Sequence, residues 1–409
     1  METWKNVFQW AIIILLSVGL GMCLVQYLVT PPLYMAAYLV LCSFLVVGLA
    51  LDVFFGLRGL RMRGLAVGVI VAGFVIGYLA NTMAFLNLEE ERHLAKLNPP
   101  PAEQRDHTAV IYFTHGEPPA YSAMPWIETF RELDADRVSF IPKPFRPFFF
   151  LSFRKEYLIV GGSPHNYVHQ DMARSLKEAF RAEGDHTTRF YMAFLDSNPR
   201  PDEAVIRALN EGAKKVVFAT VFVTVSSHTK AGQDMVKELD LDKYGVPICF
   251  SEPLWNSATL QEMFVARANE NLNGTNKSKV GVLLVGHGQP EDWDRIYPTQ
   301  TEQEILFRRS IISRLVADGY LEENISLAWM EFKQPEIGEV ARELAGRGVE
   351  KLFVFATSIS ASSLHSLYDI PEAVITSGIP KGVEVVNLGA WDDDAMVIRA
   401  IKERVQACK

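Results

Sequence analysis

His115, Asp196 and His228 form an ordered set of imidazole, carboxylate and imidazole, and His287, Glu331 and His365 repeat it later in the chain. The surroundings repeat as well. His115-Gly116-Glu117-Pro118 returns as His287-Gly288-Gln289-Pro290, and Ala193-Phe194-Leu195-Asp196 returns as Ala328-Trp329-Met330-Glu331. Phe218-Ala219-Thr220 returns as Phe355-Ala356-Thr357, and Ser226-Ser227-His228 as Ser362-Ser363-Leu364-His365, read with one residue inserted before the histidine. In both copies 8 residues separate the threonine from the histidine, Thr220 to His228 and Thr357 to His365. Packing rarely asks for two such sets. A first-row divalent cation does, because imidazole and carboxylate together suit borderline metals. Blander roles compete: His287 as a strand cap bonded to a carbonyl, Glu331 as a partner of Lys333, His365 as a helix start beside Asp369. The first set reads equally as a remnant of the duplication.

To bring these residues together the chain must place them at strand ends. Short β-branched runs at 109–114, 157–161, 189–194, 215–222 and 247–251 read as strands of a first lobe. Runs at 280–285, 325–330, 351–356 and 383–388 read as strands of a second. Between them, 172–182, 201–211, 302–318 and 336–345 carry apolar residues at helical spacing. Such alternation predicts parallel sheets with helices on both faces. Ligands of these sheets sit beyond the carboxyl ends of the strands, where His287, Glu331 and His365 fall. The polar stretch 271–276 separates the lobes, and the helical pattern 257–269 joins them. The first histidines lie 172 residues apart and the second ones 137, so about 35 extra residues follow the first His-Gly. They include 141–150, a basic, proline-rich and aromatic segment. It reads as a lip over a flat ligand, a contact with the membrane surface, or a packed loop.

Ahead of the lobes, apolar runs at 8–29, 33–55 and 65–86 each reach the roughly 20 residues that cross a bilayer core. A cleavable signal peptide is a single shorter stretch, so these read as a multi-pass anchor in the cell (inner) membrane, with the lipid bilayer as a partner. Arg58, Arg61 and Arg63 follow the second run, and the positive-inside rule places their loop in the cytoplasm and the chain after residue 86 outside. Arg92, Lys96 and Arg105 pull the other way. Glu89-Glu90-Glu91-Arg92 followed by Pro99-Pro100-Pro101 reads as a semi-rigid stalk. The expected α/β fold is therefore two similar lobes, each a parallel sheet flanked by helices, preceded by three transmembrane helices. The anchor takes 1–87, the stalk 88–107, the first lobe 108–276, and the second lobe, with the main metal site, 277–409.

Composition trims the function classes. A chain of 409 residues holds several units. A net charge of −8 without a basic stripe excludes nucleic acid. Cys23 and Cys42 fall in the apolar runs, Cys249 and Cys408 stand apart, and no disulfide framework is implied. There is no P-loop, and Gly161-Gly162 lacks the dinucleotide pattern, so no organic cofactor is expected.

The second lobe resembles the tetrapyrrole metal chelatases that work without nucleotide. Leu284-Val285-Gly286-His287-Gly288, Trp329-Met330-Glu331-Phe332-Lys333-Gln334-Pro335 and His365-Ser366-Leu367-Tyr368-Asp369-Ile370-Pro371 are similar to motifs of the small anaerobic cobaltochelatases. The resemblance implies that His287, Glu331 and His365 are the metal-site residues. The first lobe is more similar to ferrochelatase. Tyr157-Leu158-Ile159-Val160-Gly161-Gly162-Ser163-Pro164, then Gln170, resembles that family's Gly-Gly-Ser-Pro segment. That likeness implies a tetrapyrrole cleft bordered by Gly161, Gly162, Ser163 and Pro164, with Tyr368 added by Leu367-Tyr368-Asp369. The chain departs from ferrochelatases in carrying His365 where they usually have Glu, Ser363 where they have His, and a histidine at 115. The departures at His365 and Ser363 lean towards the cobalt enzymes, and ligand-type residues kept in both lobes resemble an ancestral dimer of identical chelatase units.

The chemistry implied is insertion of Fe²⁺ or Co²⁺, as substrate, into a macrocycle whose two central N–H groups must lose their protons. Neutral imidazole suits that work near neutral pH. His287 is read as ligand and proton acceptor, His365 as second ligand, and Glu331 as the group that steers the cation or orients a histidine. A lyase-type chelatase placing Fe²⁺ in a porphyrin, for haem biosynthesis, is the leading expectation. Its alternatives are cobalt or iron insertion into sirohydrochlorin, a non-enzymatic membrane-bound carrier of haem or metal, and a two-lobed binding sensor. Metal, macrocycle, side of the membrane and oligomeric state stay open at this point.

Overall fold

A computed structural model describes residues 2–57, 59–138 and 141–409 of the chain. Arg58, one of the three arginines of the expected cytoplasmic loop, lies outside the described residues. The chain divides into two compact units, Met1–Arg92 with Ala120–Gly161, and His93–Pro119 with Gly162–Lys409.

The first unit is built on helices α1 (Glu2–Val29), α2 (Pro32–Leu51) and α3 (Leu60–Leu86). Its apolar stretches Val7–Val29, Pro32–Gly56 and Leu60–Leu86 are long and apolar enough to cross a membrane. Helices α4 (Met124–Ala135) and α5 (Arg146–Val160) complete this unit. Two expectations are corrected here. The run 157–161 is the end of α5 and not a strand, and 120–161 clusters with the apolar helices instead of the first lobe. The buried face of α5 is Arg146, Pro147, Phe150, Arg154 and Tyr157, a helical spacing that two arginines hide from a hydropathy pattern. The Arg154 guanidinium donates to the Tyr27 and Thr30 carbonyls, both at 2.8 Å, and so satisfies groups that the end of α1 leaves unpaired. Tyr121 Oη donates to the Val29 carbonyl at 2.8 Å and Tyr78 Oη to the Pro144 carbonyl at 2.7 Å. The segment 141–150 is thus a turn and a helix start tied to the apolar helices.

The second unit alternates strand and helix. It runs β1 (His107–Thr114), α6 (His165–Ala182), β2 (Thr188–Phe194), α7 (Pro201–Asn210), β3 (Ala213–Thr220), α8 (Ser227–Lys237) and β4 (Ile248–Phe250). Helix α9 (Ala258–Glu270) leads to β5 (Val280–Gly286), α10 (Glu291–Ile296), α11 (Pro298–Ala317), β6 (Ile325–Trp329), α12 (Ile337–Gly346) and β7 (Lys351–Ala356). The chain ends with α13 (Ile370–Ile375), β8 (Glu384–Gly389) and α14 (Ala395–Cys408). The two sheets are parallel throughout and share one topology, β2-β1-β3-β4 and β6-β5-β7-β8. The sheets meet through a common apolar core. Val110, Tyr112 and Val217 from the first sheet join Val282, Leu284 and Phe353 from the second, with α9 and α14 between them. The outer face of each sheet has its own cluster, around Ile111 and Phe218 and around Leu283 and Val354.

The segment read as a stalk is fastened to the first lobe. Asn210 accepts the Asn98 N–H at 2.7 Å and donates to the Lys96 carbonyl at 3.0 Å, and Arg105 donates to the Tyr244 carbonyl at 2.6 Å.

A disulfide joins Cys249 in β4 to Cys408 at the end of α14, across 159 residues of sequence. This corrects the expectation that these cysteines stand alone. No spacing motif announces the pair, because α14 reaches β4 only through tertiary packing. Unfolded protein isolated without reductant is therefore expected to expose two titratable thiols, Cys23 and Cys42, and reduction is expected to add two more. Closing so long a loop is worth roughly 2–5 kcal/mol, so denaturant unfolding of the reduced protein should show a lower midpoint.

Candidate functional site

The second-lobe set is assembled by backbone that runs past the strands. His287 follows β5, and its N–H donates to Glu304 Oε2 at 2.9 Å. Glu304 is buried on α11, also accepts the Ser358 hydroxyl at 2.8 Å, and shares its charge with buried Arg308. The Arg308 guanidinium donates to the Ala328 carbonyl at 2.7 Å and lies 3.9 Å from the centre of the Trp329 ring. Arg308 Nε also donates to the Glu304 backbone carbonyl at 3.2 Å, and the Glu304 carboxylate fixes the turn at His287 through the His287 N–H. The β5–β6 ladder then continues: Met330 N–H donates to the Gly286 carbonyl at 2.9 Å and Glu331 N–H to the His287 carbonyl at 3.1 Å. Glu331 is thereby held beside His287. Gly288 permits the approach, since it has φ 85° and a Cβ there would lie 2.2 Å from the Glu331 carbonyl oxygen.

His287 Nδ1 faces the Gly288 carbonyl at 2.8 Å. A carbonyl only accepts, so Nδ1 carries the proton and neutral His287 presents its lone pair at Nε2. His365 opens a π-helical turn, His365–Asp369, and its Nδ1 lies 2.6 Å from Asp369 Oδ2. Burial disfavours the charged ring. Asp369, with Glu331 and Glu117 behind it, outweighs burial and pushes the His365 pKa up to about 9. The His287 and His365 rings stand 5.7 Å apart, edge to face. Lys333 does not hold the Glu331 carboxylate; its ammonium pairs with Asp294. Glu331 also borders a cavity of about 610 Å³ shared with Phe332, Lys333, Glu336 and Arg342.

The first lobe repeats the plan. His115 Nδ1 faces the Gly116 carbonyl at 3.0 Å, and its Nε2 lies 3.0 Å from Asp196 Oδ2. That carboxylate oxygen is buried and has no aligned hydrogen-bond donor. His228 sits in the first turn of α8, which Ser226 caps by accepting the Thr229 N–H at 3.3 Å. Ser363 does the same for Ser366, so Ser226 matches Ser363 and His228 matches His365 without the inserted residue read from sequence. The His115 and His228 rings are 5.2 Å apart. Burial holds both at about 4, with His287 and His365 adding to the effect on His115 and His115 to that on His228. Burial raises Asp196. The position four beyond the histidine explains the contrast with His365: it is Asp369 in the second lobe and Gly232 in the first. A Cβ at Gly232 would lie 2.1 Å from the Phe113 ring, so no carboxylate fits there.

Both sets face one cleft. The charges of His287 and His365 are felt at His115, and His228 meets Trp293 of the second lobe edge to face at 6.4 Å. Ser163, from the expected macrocycle segment, takes the Pro119 carbonyl at 3.1 Å and receives the His165 N–H at 3.2 Å, so Gly162-Ser163-Pro164 anchors the start of α6. Gly161 ends α5 in the other unit, and Tyr368 is half-buried in the turn of His365. Sequence reasoning passed over His165 and His169 on α6. The His165 ring lies 6.4 Å from that of His115 and 4.6 Å from that of His169, which bonds Tyr112, Thr114 and Ser360. Their spacing of four at a helix start was the available signal. Among the described residues, no three or more of His, Cys, Asp and Glu are placed to hold a metal ion unaided.

Substituting Gly288→Ala is expected to push the Glu331 loop away from His287. A loss of at least 2 kcal/mol is anticipated from the positive φ and the overlap together, read as a lower unfolding midpoint with weakened metal binding.

A family model described as Ferrochelatase matches residues 107–408. Over 115 residues the chain is 31% identical to Sirohydrochlorin cobaltochelatase of Methanothermobacter thermautotrophicus, covering 27% of this chain and 67% of that protein. Over 217 residues it is 22% identical to Ferrochelatase of Desulfotalea psychrophila, covering 52% of this chain and 66% of that one. The chain thus spans about two thirds of the length of these relatives. A solved structure, SirB from Bacillus subtilis with Fe³⁺, aligns over 74% of this chain and 95% of its own at 14% identity and a TM-score of 0.49. With the match running from the first strand to the last helix of the two-lobed unit, the chain belongs to the Ferrochelatase family.

Proposed function

We propose that this chain is a membrane-anchored tetrapyrrole chelatase that inserts a divalent metal, Fe²⁺ foremost, into a porphyrin. The observation that carries the reading is the state of the second-lobe histidines. In both rings Nδ1 is taken, by the Gly288 carbonyl in His287 and by Asp369 in His365, which turns Nε2 towards a metal. Membership of the family supports metal insertion into a tetrapyrrole, with the metal as substrate and no organic cofactor. His287 and His365 are assigned as ligands, and His287 also as acceptor of a macrocycle proton. Glu331, pinned beside His287 by its backbone, is assigned to steer the cation. His115, Asp196 and His228 face them as a second set, and the buried Asp196 oxygen 3.0 Å from His115 Nε2 suits a cation in passage. The macrocycle lies against Gly162, Ser163, Pro164 and Tyr368 in this reading.

Sirohydrochlorin is the second reading for the macrocycle, with Co²⁺ or Fe²⁺ as the metal. The 31% identity to a sirohydrochlorin cobaltochelatase favours it, as does a histidine at 365. The anchor is assigned to a membrane on the strength of the three apolar helices. Arg61 and Arg63 precede a single apolar helix before the catalytic unit, which supports placing that unit outside the cytoplasm. The Cys249–Cys408 disulfide supports the same side, since disulfides persist in oxidising compartments.

The test is insertion by the detergent-solubilised full chain, with Fe²⁺ and Co²⁺ offered to a porphyrin and to sirohydrochlorin and followed by absorbance. His287→Ala is expected to reduce the rate at least a hundredfold, in the range for a lost ligand or base. An undiminished rate would remove His287 from its role.

The pH profile gives a second test. His365 binds metal only when neutral, and its pKa of about 9 keeps it protonated at neutral pH. Metal capture is therefore expected to rise with pH until about 9. Asp369→Asn removes the group that raises the pKa and leaves burial to lower it, so the rising limb should move to lower pH. A limb that stays in place would break the link between His365 and metal capture.

A further inference from the structure

The repeat is not symmetric at one telling position. Glu117 in the first lobe corresponds to Gln289 in the second. Gln289 is buried and spends its amide inside its own lobe, on Asp294 Oδ1 at 2.7 Å and the Tyr297 carbonyl at 2.9 Å. Glu117 instead crosses to the other lobe. Its Oε1 accepts the Leu364 N–H at 3.0 Å, over a sequence separation of 247 residues. Leu364 directly precedes His365 and leads into the π-helical turn that carries it. The first N–H groups of any helical turn lack an acceptor within it, and a carboxylate is a strong acceptor for one of them. The Glu117 backbone is itself held, its N–H donating to Asn166 Oδ1 at 2.9 Å on α6. The carboxylate therefore reaches across from a fixed base.

We propose that Glu117 is a positioning residue through which the first lobe sets the place of His365. The inference rests on the reading of His287 and His365 as metal ligands. It makes the second-lobe site dependent on the first lobe: the link between Glu117 and Leu364 holds the His365 turn at the spacing from His287 that a shared metal requires. It also accounts for a glutamate where the repeat carries glutamine. A neutral amide suffices for a bond within one lobe, whereas a bond across the cleft gains from charge.

The test uses Co²⁺ alone as probe, titrated into the detergent-solubilised full chain and read by its visible absorption. Porphyrin binding and the thermal midpoint are measured alongside. Glu117→Gln keeps an acceptor oxygen but loses the charge and is expected to weaken Co²⁺ affinity about threefold, whereas Glu117→Ala is expected to weaken it about tenfold or more, as for loss of a hydrogen bond to a charged group. Porphyrin affinity should not move in either. Glu117→Asp draws the charge back by one methylene; it should behave like the alanine variant and serves where that variant does not fold. Unchanged Co²⁺ affinity in Glu117→Ala or Glu117→Asp would overturn the proposal. So would equal losses of metal and porphyrin affinity with a fallen midpoint, which mark a general structural defect. His287→Ala separates the two claims. If it binds Co²⁺ as the unaltered chain does, the assignment of the metal site fails. If it loses Co²⁺ while Glu117→Ala does not, the role of Glu117 alone fails.

Discussion

The hydrogen bond between His287 Nδ1 and the Gly288 carbonyl decides what the site can offer. It commits one ring nitrogen and leaves the other as the only lone pair. The bond exists because Gly288 turns with positive φ, and only a glycine is tolerated there because the Glu331 carbonyl lies where a Cβ would otherwise be. Glu331 stands there because the β5–β6 ladder runs two bonds past the strands, and that ladder is secured from behind by Glu304 and Arg308. Tautomer, turn, ladder and the buried Glu304 and Arg308 side chains form one chain of dependence. The same bond recurs at His115 with the Gly116 carbonyl, so duplication has copied the device and not merely the residue.

Divergence between the copies acts mainly through charge. Asp369 raises His365 in the second lobe, whereas Gly232, forced small by Phe113, leaves burial to dominate at His228, with His115 adding to it. The result is that His365 is pushed towards the charged form while His115 and His228 are pushed towards the neutral one. The first-lobe pair stays neutral well below neutral pH, so its lone pairs are ready for a cation. In the second lobe, His365 gives up a proton before it can bind. Exchange of protons for metal is the chemistry that metallation of a macrocycle demands, and under the proposed assignment the two lobes would divide it between lone pairs already free and a lone pair released on binding.

Much of this was legible in the sequence. The eight catalytic-unit strands outside 157–161 fall where the β-branched runs place them, because strands buried in parallel sheets read as continuous apolar runs. The histidines and acids were recognisable as a group because they repeat. Three features were not legible, each for a physical reason. Helix α5 carries buried arginines whose cost is met by the carbonyls at the end of α1, and nothing local shows that the compensation exists. Cys249 and Cys408 meet only because α14 packs back towards the first sheet. Glu117 looked like a neighbour of His115 and proved to be a partner of the His365 segment, since a cross-lobe contact has no sequence signature. His165 and His169 could have been caught from their spacing of four, but a buried histidine pair is easily taken for core.

The sparse ligand set makes sense when holding is weighed against transfer. A closed tetrahedral site stabilises a metal by an amount that a macrocycle would have to repay in full, and such sites serve structure. In the proposed reading His287 and His365 would supply two nitrogens from one lobe, and His115, Asp196 and His228 a second small group from the other. Neither set saturates a cation, so each leaves positions for four macrocycle nitrogens to compete into. Rigidity has to compensate for the missing ligands, because a two-point site binds well only if its points do not wander. The backbone bonds at both imidazoles, the Glu304–Arg308 pair and the Glu117 link all act to that end. Geometry is overdetermined at this site so that coordination can stay incomplete.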